Sequence, residues 1–357
     1  MKKHIQFLVA FILFTSLYYS CNYKEEDYIF LGKSRYITSF SDTLFLKGEK
    51  VTIENMGAIN IDIIDSFLVF SSGSLDTFYN VYSKYTYQHC GNFIPQGRGD
   101  NELPTISYPI FWSNEKGHSL IYLDDRATGT IKAWDITQSC AKRTTVFSPT
   151  PIDISPVPGF QALYPLQGSV YFLHGRDYNT MNDYYALYDE SKKQYSILDT
   201  VYLYPSGSVD DVFLLNTFKS FNPSQQKYAT AMQFFNQINL YSLKNPHKHY
   251  SLIVGKHPTH LEEVKTTAMP EKFEYYEDLT STSSFLFAVY ANRSRKDWAL
   301  LENVPTEIQV FDWDGNARYL IQTQEKLASI AIDEERKLLY GMTLAETVYK
   351  YDIATIL

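Results

Sequence analysis

Apolar and polar residues along this chain fall into short strand-like runs, and after residue 20 no stretch sustains the apolar stripe of an amphipathic helix. Within these runs a three-residue pattern recurs: apolar, aromatic, then Asp or Ser. It reads Val81-Tyr82-Ser83, Ala133-Trp134-Asp135, Leu187-Tyr188-Asp189, Leu240-Tyr241-Ser242, Val310-Phe311-Asp312 and, with Lys in the apolar place, Lys350-Tyr351-Asp352. The successive aromatics, from Tyr82 through Trp134, Tyr188, Tyr241 and Phe311 to Tyr351, are 52, 54, 53, 70 and 40 residues apart. A period of that length, with one insertion and one shortening, is the signature of propeller blades, each a four-stranded sheet.

Other runs fit the same frame. A strand-like run precedes each copy, at 66–70, 119–123, 169–173, 227–231, 284–289 and 337–340, and supplies the second strands. Runs at 59–63 and 328–332 supply inner strands, and runs at 143–147, 194–198, 249–253 and 318–321 supply outer ones. The sixth copy has no outer strand, because the sequence reaches Leu357 first. A strand within residues 36–53 is therefore expected to pair there and close the ring, leaving no exposed edge. The expected fold is all-β: a six-bladed β-propeller of four-stranded blades over residues 36–357.

Composition agrees with this picture. Aromatics make up 16% of the 357 residues, with 30 Tyr and 23 Phe, and such residues suit half-buried pleated surfaces. The formal charge is −8. With no basic patch to neutralise phosphates, it argues against nucleic acid as a partner.

The N-terminus has a different character. Lys2 and Lys3 precede an apolar run from Ile5 to Leu17 that is too short to span a bilayer and has the form of an export signal. It ends in Leu17-Tyr-Tyr-Ser-Cys21, a loose lipobox, so residues 1–20 are expected to be removed, Cys21 lipidated and residues 21–35 left as a tether. Several acyl chains on Cys21 would hold the protein at the membrane, where one chain would bind only marginally. Asn22-Tyr-Lys-Glu-Glu-Asp27 resembles the Lys-acidic-acidic export signal of surface lipoproteins of Bacteroidetes. An outer-membrane lipoprotein is expected, facing either the cell surface or the periplasm. The remaining cysteines, Cys90 and Cys140, fall on outer parts of different repeats, and the expectation is two separate free thiols.

The stretch Gly91-Asn-Phe-Ile-Pro-Gln-Gly-Arg-Gly-Asp-Asn-Glu-Leu-Pro104 joins the first blade to the second. It lacks the Lys-Ser/Thr and helix of a P-loop and the βαβ unit of a dinucleotide fingerprint. A turn is expected, with Gly97 and Gly99 serving positive φ, and Arg98 to Asp100 an incidental RGD. Together with the six repeats and the lipobox, the sequence Gly97-Arg-Gly-Asp-Asn-Glu102 resembles the TolB-like or NHL-like six-bladed propeller lipoproteins of Bacteroidetes. That family's connector reads Gly-x-Gly-Pro-Gly-Glu. Gly97, Gly99 and Glu102 match it, while Asp100 and Asn101 depart from it. The resemblance implies the architecture.

Inter-blade connectors and the loops from second to third strands share one face of a propeller. On that face the sequence places Arg98, Asp100 and Glu102, then Asp124, Asp125 and Arg126, then His174, Arg176 and Asp177, and finally Arg293, Arg295 and Trp298 from the fifth-blade insertion. These are the candidate ligand-binding residues, because convergent loop charges and an Arg-flanked aromatic suit recognition. Trp298 packed beneath its own loop is the competing arrangement. No nucleophile–base pair, zinc motif or cofactor fingerprint stands out, and His257-Pro-Thr-His260-Leu-Glu-Glu263 lacks the His-Glu-x-x-His spacing. The expected function is a lipid-anchored binding or scaffold module for a protein or glycan, with no catalytic residue, metal or cofactor assigned. The alternative is a metal-dependent hydrolase or lyase of the six-bladed lactonase type, which requires carboxylates from at least three blades to converge in the channel; Asn60 and Asp62 are the residues available from the first.

Overall fold

The computed structural model describes residue 30 and residues 32–54, 57–73, 76–202, 211–246, 248–301 and 304–357. Residues 1–29, with Cys21 and the lipobox, lie outside that set.

Three short strands open the described chain: β1 (Lys33–Ile37), β2 (Asp42–Leu46) and β3 (Glu49–Val51). Blade 1 follows as β4 (Ala58–Ile64), β5 (Phe67–Ser72), β6 (Thr77–Ser83) and β7 (His89–Pro95). Blade 2 is β8 (Pro109–Glu115), β9 (His118–Asp125), β10 (Thr130–Asp135) and the two-residue β11 (Ile152–Asp153). Blade 3 is β12 (Phe160–Gln167), β13 (Val170–Asp177), β14 (Asn182–Asp189) and β15 (Gln194–Tyr202), and blade 4 is β16 (Thr217–Asn222), β17 (Lys227–Met232), β18 (Gln237–Ser242) and β19 (Tyr250–Val254). Blade 5 is β20 (Phe273–Ser281), β21 (Phe285–Ser294), β22 (Glu307–Asp312) and β23 (Ala317–Thr323); blade 6 has β24 (Leu327–Asp333), β25 (Leu338–Thr343) and β26 (Val348–Asp352). The six sheets form a ring, a six-bladed propeller.

The recurring tripeptide does one job in every blade and a second in most of them. Its aromatic is fully or almost fully buried in all six copies and packs against the preceding blade. Trp134 lies 5.0 Å from Tyr79 and 5.7 Å from Phe93 of blade 1, ring centre to ring centre, and Tyr241 lies 4.6 Å from Tyr185 of blade 3. Tyr82 packs with blade 6, Tyr188 with blade 2, Phe311 with blade 4 and Tyr351 with blade 5. Phenolic tips find partners at the same seams: Tyr188 donates to the Asp153 carbonyl, Tyr82 to that of Glu54, and Tyr351 to Glu325 Oε2 at 2.7 Å. The polar residue that follows caps the next turn. Asp312 Oδ1 accepts from the N–H groups of Asp314 and Asn316, Asp352 Oδ1 from Ala354, Asp189 Oδ1 from Ser191, and Ser83 Oγ from Tyr85 and Thr86. Short polar side chains favour such turns because they satisfy backbone donors locally.

Ring closure falls where expected. β3 pairs antiparallel with β26, Val51 opposite Val348, and supplies the missing outer strand of blade 6. The N-terminal segment does more than the sequence suggests. β1 adds a parallel fifth strand to β19, and β2 adds one to β23, so blades 4 and 5 are five-stranded. β1 begins at Lys33, inside the span expected as tether.

Blade 2 departs from expectation. The outer strand expected at 143–147 is reduced to an isolated bridge between Trp134 and Phe147; a helix, Ile136–Lys142, follows β10, and the outer position is taken by the two-residue β11 further along. Asp135 accepts from the Gln138 N–H and caps the helix, Ser139 ties back to Trp134 Nε1 at 2.9 Å, and Arg143 ends it in the left-handed conformation. The helix packs back on β7. It thereby brings Cys140 to the neighbourhood of Cys90, where each thiol is the leading influence on the other's acidity, while Cys90 Sγ donates to the Gln88 carbonyl at 3.7 Å; the expectation that the two lie well apart is corrected.

Trp134 fills the seam between blades 1 and 2, so Trp134→Ala is expected to cost about 3–5 kcal/mol. Urea unfolding measures this, and Trp134→Phe is expected to recover most of the loss.

Candidate functional site

The face carrying the inter-blade connectors holds most of the residues singled out from sequence, and most are engaged with one another. In the first connector, Glu102 accepts from the Gly99 N–H at 2.8 Å, and a Cβ on Gly97 would sit 1.9 Å from Glu102 Oε2. Neither glycine has positive φ. The expected positive φ is therefore corrected: what crowds these glycines is the Glu102 carboxylate, and a side chain at Gly97 would have to displace it. Arg98 and Asp100 are exposed beside this self-braced turn.

Asp124 pairs with the exposed Arg126 at 2.9 Å, and burial raises its pKa against that pull. Asp125 is buried and pairs with Lys132 at 3.0 Å, while Lys132 also donates to the Glu102 carbonyl at 3.4 Å. Lys132 thus joins the first connector to the blade 2 loop.

His174 and Arg176 are not free to meet a ligand. Both are buried on β13 with Asp183 of β14. Arg176 grips Asp183 with two donors, at 2.5 and 3.1 Å, and His174 Nε2 lies 3.1 Å from the same carboxylate, with Nδ1 3.1 Å from the Tyr228 hydroxyl. Burial holds His174 below its usual range despite Asp183. Burial alone would raise Asp183, yet His174 and Arg176 keep it low. Asp177 accepts from Asn179 N–H and Thr180 Oγ1 in a turn.

In the fifth-blade insertion β21 runs on to Ser294, and a short helix, Arg295–Leu300, follows. Trp298 is buried, with the Lys326 ammonium 4.5 Å over its ring and donating to its carbonyl. It packs under its own insertion. Arg295 pairs with Glu274 at 3.4 Å, and Arg293 is exposed.

The larger opening is at the opposite end of the channel. A cavity of about 700 Å³ is lined from all six blades, where inner strands turn into second strands. Asp62, Trp112, Tyr164, Lys219, Ser281 and Ile332 represent those walls, one from each blade. Tyr164 stacks on Phe221 at 4.9 Å, Phe111 on Tyr122 at 4.0 Å, and Trp112 is 44% exposed at the edge. Lys219 is half-buried and donates to the Thr217 carbonyl at 3.1 Å; burial lowers its pKa to about 8, with Asp183 pulling the other way.

Between blades 5, 6 and 1 a polar chain crosses the inner strands. Asn60 Nδ2 donates to Asp62 Oδ2 at 2.7 Å, and the Ser329 hydroxyl lies 2.6 Å from Asn60 Oδ1 and 2.9 Å from Asp278 Oδ2. Burial, then the nearby Asp278 charge, pushes Asp62 up to about 7, and burial pushes Asp278 up to about 6. These carboxylates come from two blades. Among the described residues no group of three His, Cys, Asp or Glu side chains is placed to hold a metal ion, so the three-blade convergence required by the lactonase reading is not formed.

A second cavity, about 620 Å³, lies at the outer rim where β1 crosses, with Lys33, Arg35, Lys227 and Lys248 around it. Arg35 stacks 3.7 Å over Tyr250, and Lys227 pairs with Asp314 at 2.6 Å.

A family model described as TolB-like 6-blade propeller-like matches residues 58–335. The chain belongs to this TolB-like propeller family. Among solved structures, a DUF4221 family member from Bacteroides vulgatus superposes with a TM-score of 0.52 at 9% identity, covering 86% of this chain and 97% of that one. A Bacteroides fragilis protein described as exported gives 0.50 at 11% identity, covering 90% and 98%. At such identities these two share the fold with this TolB-like propeller. No curated protein matches the chain.

The inner carboxylates give a pH test. The folded protein holds the Asp62 and Asp278 protons more tightly than the unfolded chain, so stability is expected to fall as pH rises from about 4 to about 7. Asp62→Asn is expected to flatten that slope and to stabilise the protein at pH 8 by about 2 kcal/mol, read from urea unfolding across the pH series.

Proposed function

We propose that this propeller is an exported, lipid-anchored binding module whose six-bladed channel mouth receives a glycan. The observation that carries the reading is the cavity of about 700 Å³ at the inner-strand turns. It combines ring faces, Phe111, Trp112, Tyr164 and Phe221, with hydrogen-bonding groups, Asp62, Lys219, Ser220 and Ser281. Concave sites lined by aromatic surface with a few polar groups are the common form of ligand sites, and a sugar presents the matching alternation of apolar ring faces and hydroxyls. The loop face first expected to bind is a weaker choice, because its charges are largely spent on Asp124–Arg126, Asp125–Lys132 and Arg176–Asp183.

Export is supported by the charged and apolar N-terminal run, by Cys21 in a lipobox-like setting and by the exported Bacteroides fragilis relative in fold. The Asn22 to Asp27 stretch favours the cell surface over the periplasm, and the net charge of −8 disfavours nucleic acid.

Three measurements test the reading. Titration of bacterial, host and dietary polysaccharides is expected to find a ligand whose affinity drops about tenfold in Trp112→Ala, about 1.4 kcal/mol, with unchanged unfolding; undiminished binding places the site elsewhere. Cys21→Ser is expected to release the protein from membranes, and replacing Lys24, Glu25 and Glu26 together by Ala is expected to protect it from protease added to intact cells.

A further inference from the structure

We propose that Cys90 and Cys140 are a dithiol that oxidises to a disulfide stapling blade 1 to blade 2. The pair is built by the departure of blade 2 from the repeat. Cys90 lies on β7, the outer strand of blade 1, and Cys140 on the helix inserted between β10 and the outer strand β11 of blade 2. That helix packs against β7, and both side chains rest on the cluster that contains Phe93, Ile94, Trp134 and Ile136. The same seam is fixed a few residues on, where the Ile94 N–H donates to Thr145 Oγ1 at 2.8 Å. Held from both sides, the two side chains pack on one cluster across the seam, close enough for each thiol to be the leading influence on the other's acidity. Both residues are half-buried, so a small oxidant reaches them.

The environment also divides the labour between the thiols. The neighbouring Cys140 thiol lowers Cys90 to about 7, which makes it the attacking thiolate, and the same interaction, with burial, pushes Cys140 up. The oxidant is a disulfide-bearing small molecule or oxidoreductase. Cys90 thiolate attacks one of its sulfurs, forming a mixed disulfide and expelling one thiolate, which takes up a proton. Cys140 then loses its proton to solvent and attacks Cys90 Sγ, expelling the second thiolate. Two protein thiols are oxidised and one disulfide is reduced to two thiols. An exported protein meets such oxidants, whereas a cytosolic one is kept reduced.

The closed loop runs from Cys90 to Cys140 and contains β8, β9 and β10. Constraining it restricts the unfolded chain, so the oxidised form is expected to unfold at higher temperature.

The test is peptide mapping of the full chain treated with glutathione disulfide, denatured and alkylated without reductant. The expected result is a Cys90–Cys140 linked peptide, lighter by two hydrogens than the reduced pair, and an unfolding midpoint a few degrees higher that reductant reverses. Cys140→Ser is expected to leave Cys90 carrying a stable glutathione adduct. Recovery of both cysteines alkylated, or of separate glutathione adducts on each in the wild-type chain, would overturn the proposal.

Discussion

Everything in this structure depends on one contact repeated six times: the aromatic of each third strand packed onto the blade before it. A single blade buries one face poorly, and only its neighbour completes the burial. Tyr82, Trp134, Tyr188, Tyr241, Phe311 and Tyr351 supply that completion around the ring. Because the contact runs from each blade to its predecessor, Tyr82 of blade 1 must find blade 6, and it does, with Tyr340, Met342 and Val348. The ring is therefore held by a closed cycle of identical contacts, and β3 on β26 adds the hydrogen-bonded seam.

The N-terminal strands link that closure to the setting in which the protein is proposed to work. β1, β2 and β3 run along the edges of blades 4, 5 and 6 in turn. A chain entering from a membrane anchor would thus be bound to half the ring before the first blade begins. The parallel additions also cover two edges that would otherwise offer unpaired backbone groups to another chain.

The repeat was legible because the aromatic of one tripeptide performs the same packing in each blade and its polar residue caps the next turn in most. The helix inserted into blade 2 was not, since at seven residues it is too short to show a periodic stripe and its cap, Asp135, doubles as the repeat's usual turn residue. β1 and β2 were equally silent, being mostly exposed edge strands with little apolar patterning. On the loop face, His174 and Arg176 read as ligand groups because their partner Asp183 sits on the facing strand, invisible to local spacing. The channel mouth left no local trace at all. Its walls are ends of inner strands from six blades, and Lys219 within Thr217–Asn222 resembles any polar strand residue until the ring forms. The cysteines are free thiols as expected, and only their nearness was hidden, for a related reason. One blade apart in sequence, they would lie apart on two regular outer strands, and only the helix folding back onto β7 joins them.

The central claim is that the six blades close into one cooperative ring through the N-terminal strand. Native-state amide hydrogen exchange tests it most directly, comparing Glu49–Val51 with Val348–Asp352. The account predicts that the paired amides of the two strands exchange together, and only through the opening that unfolds the blades. Rapid exchange of Glu49–Val51 while the blades stay protected would contradict it.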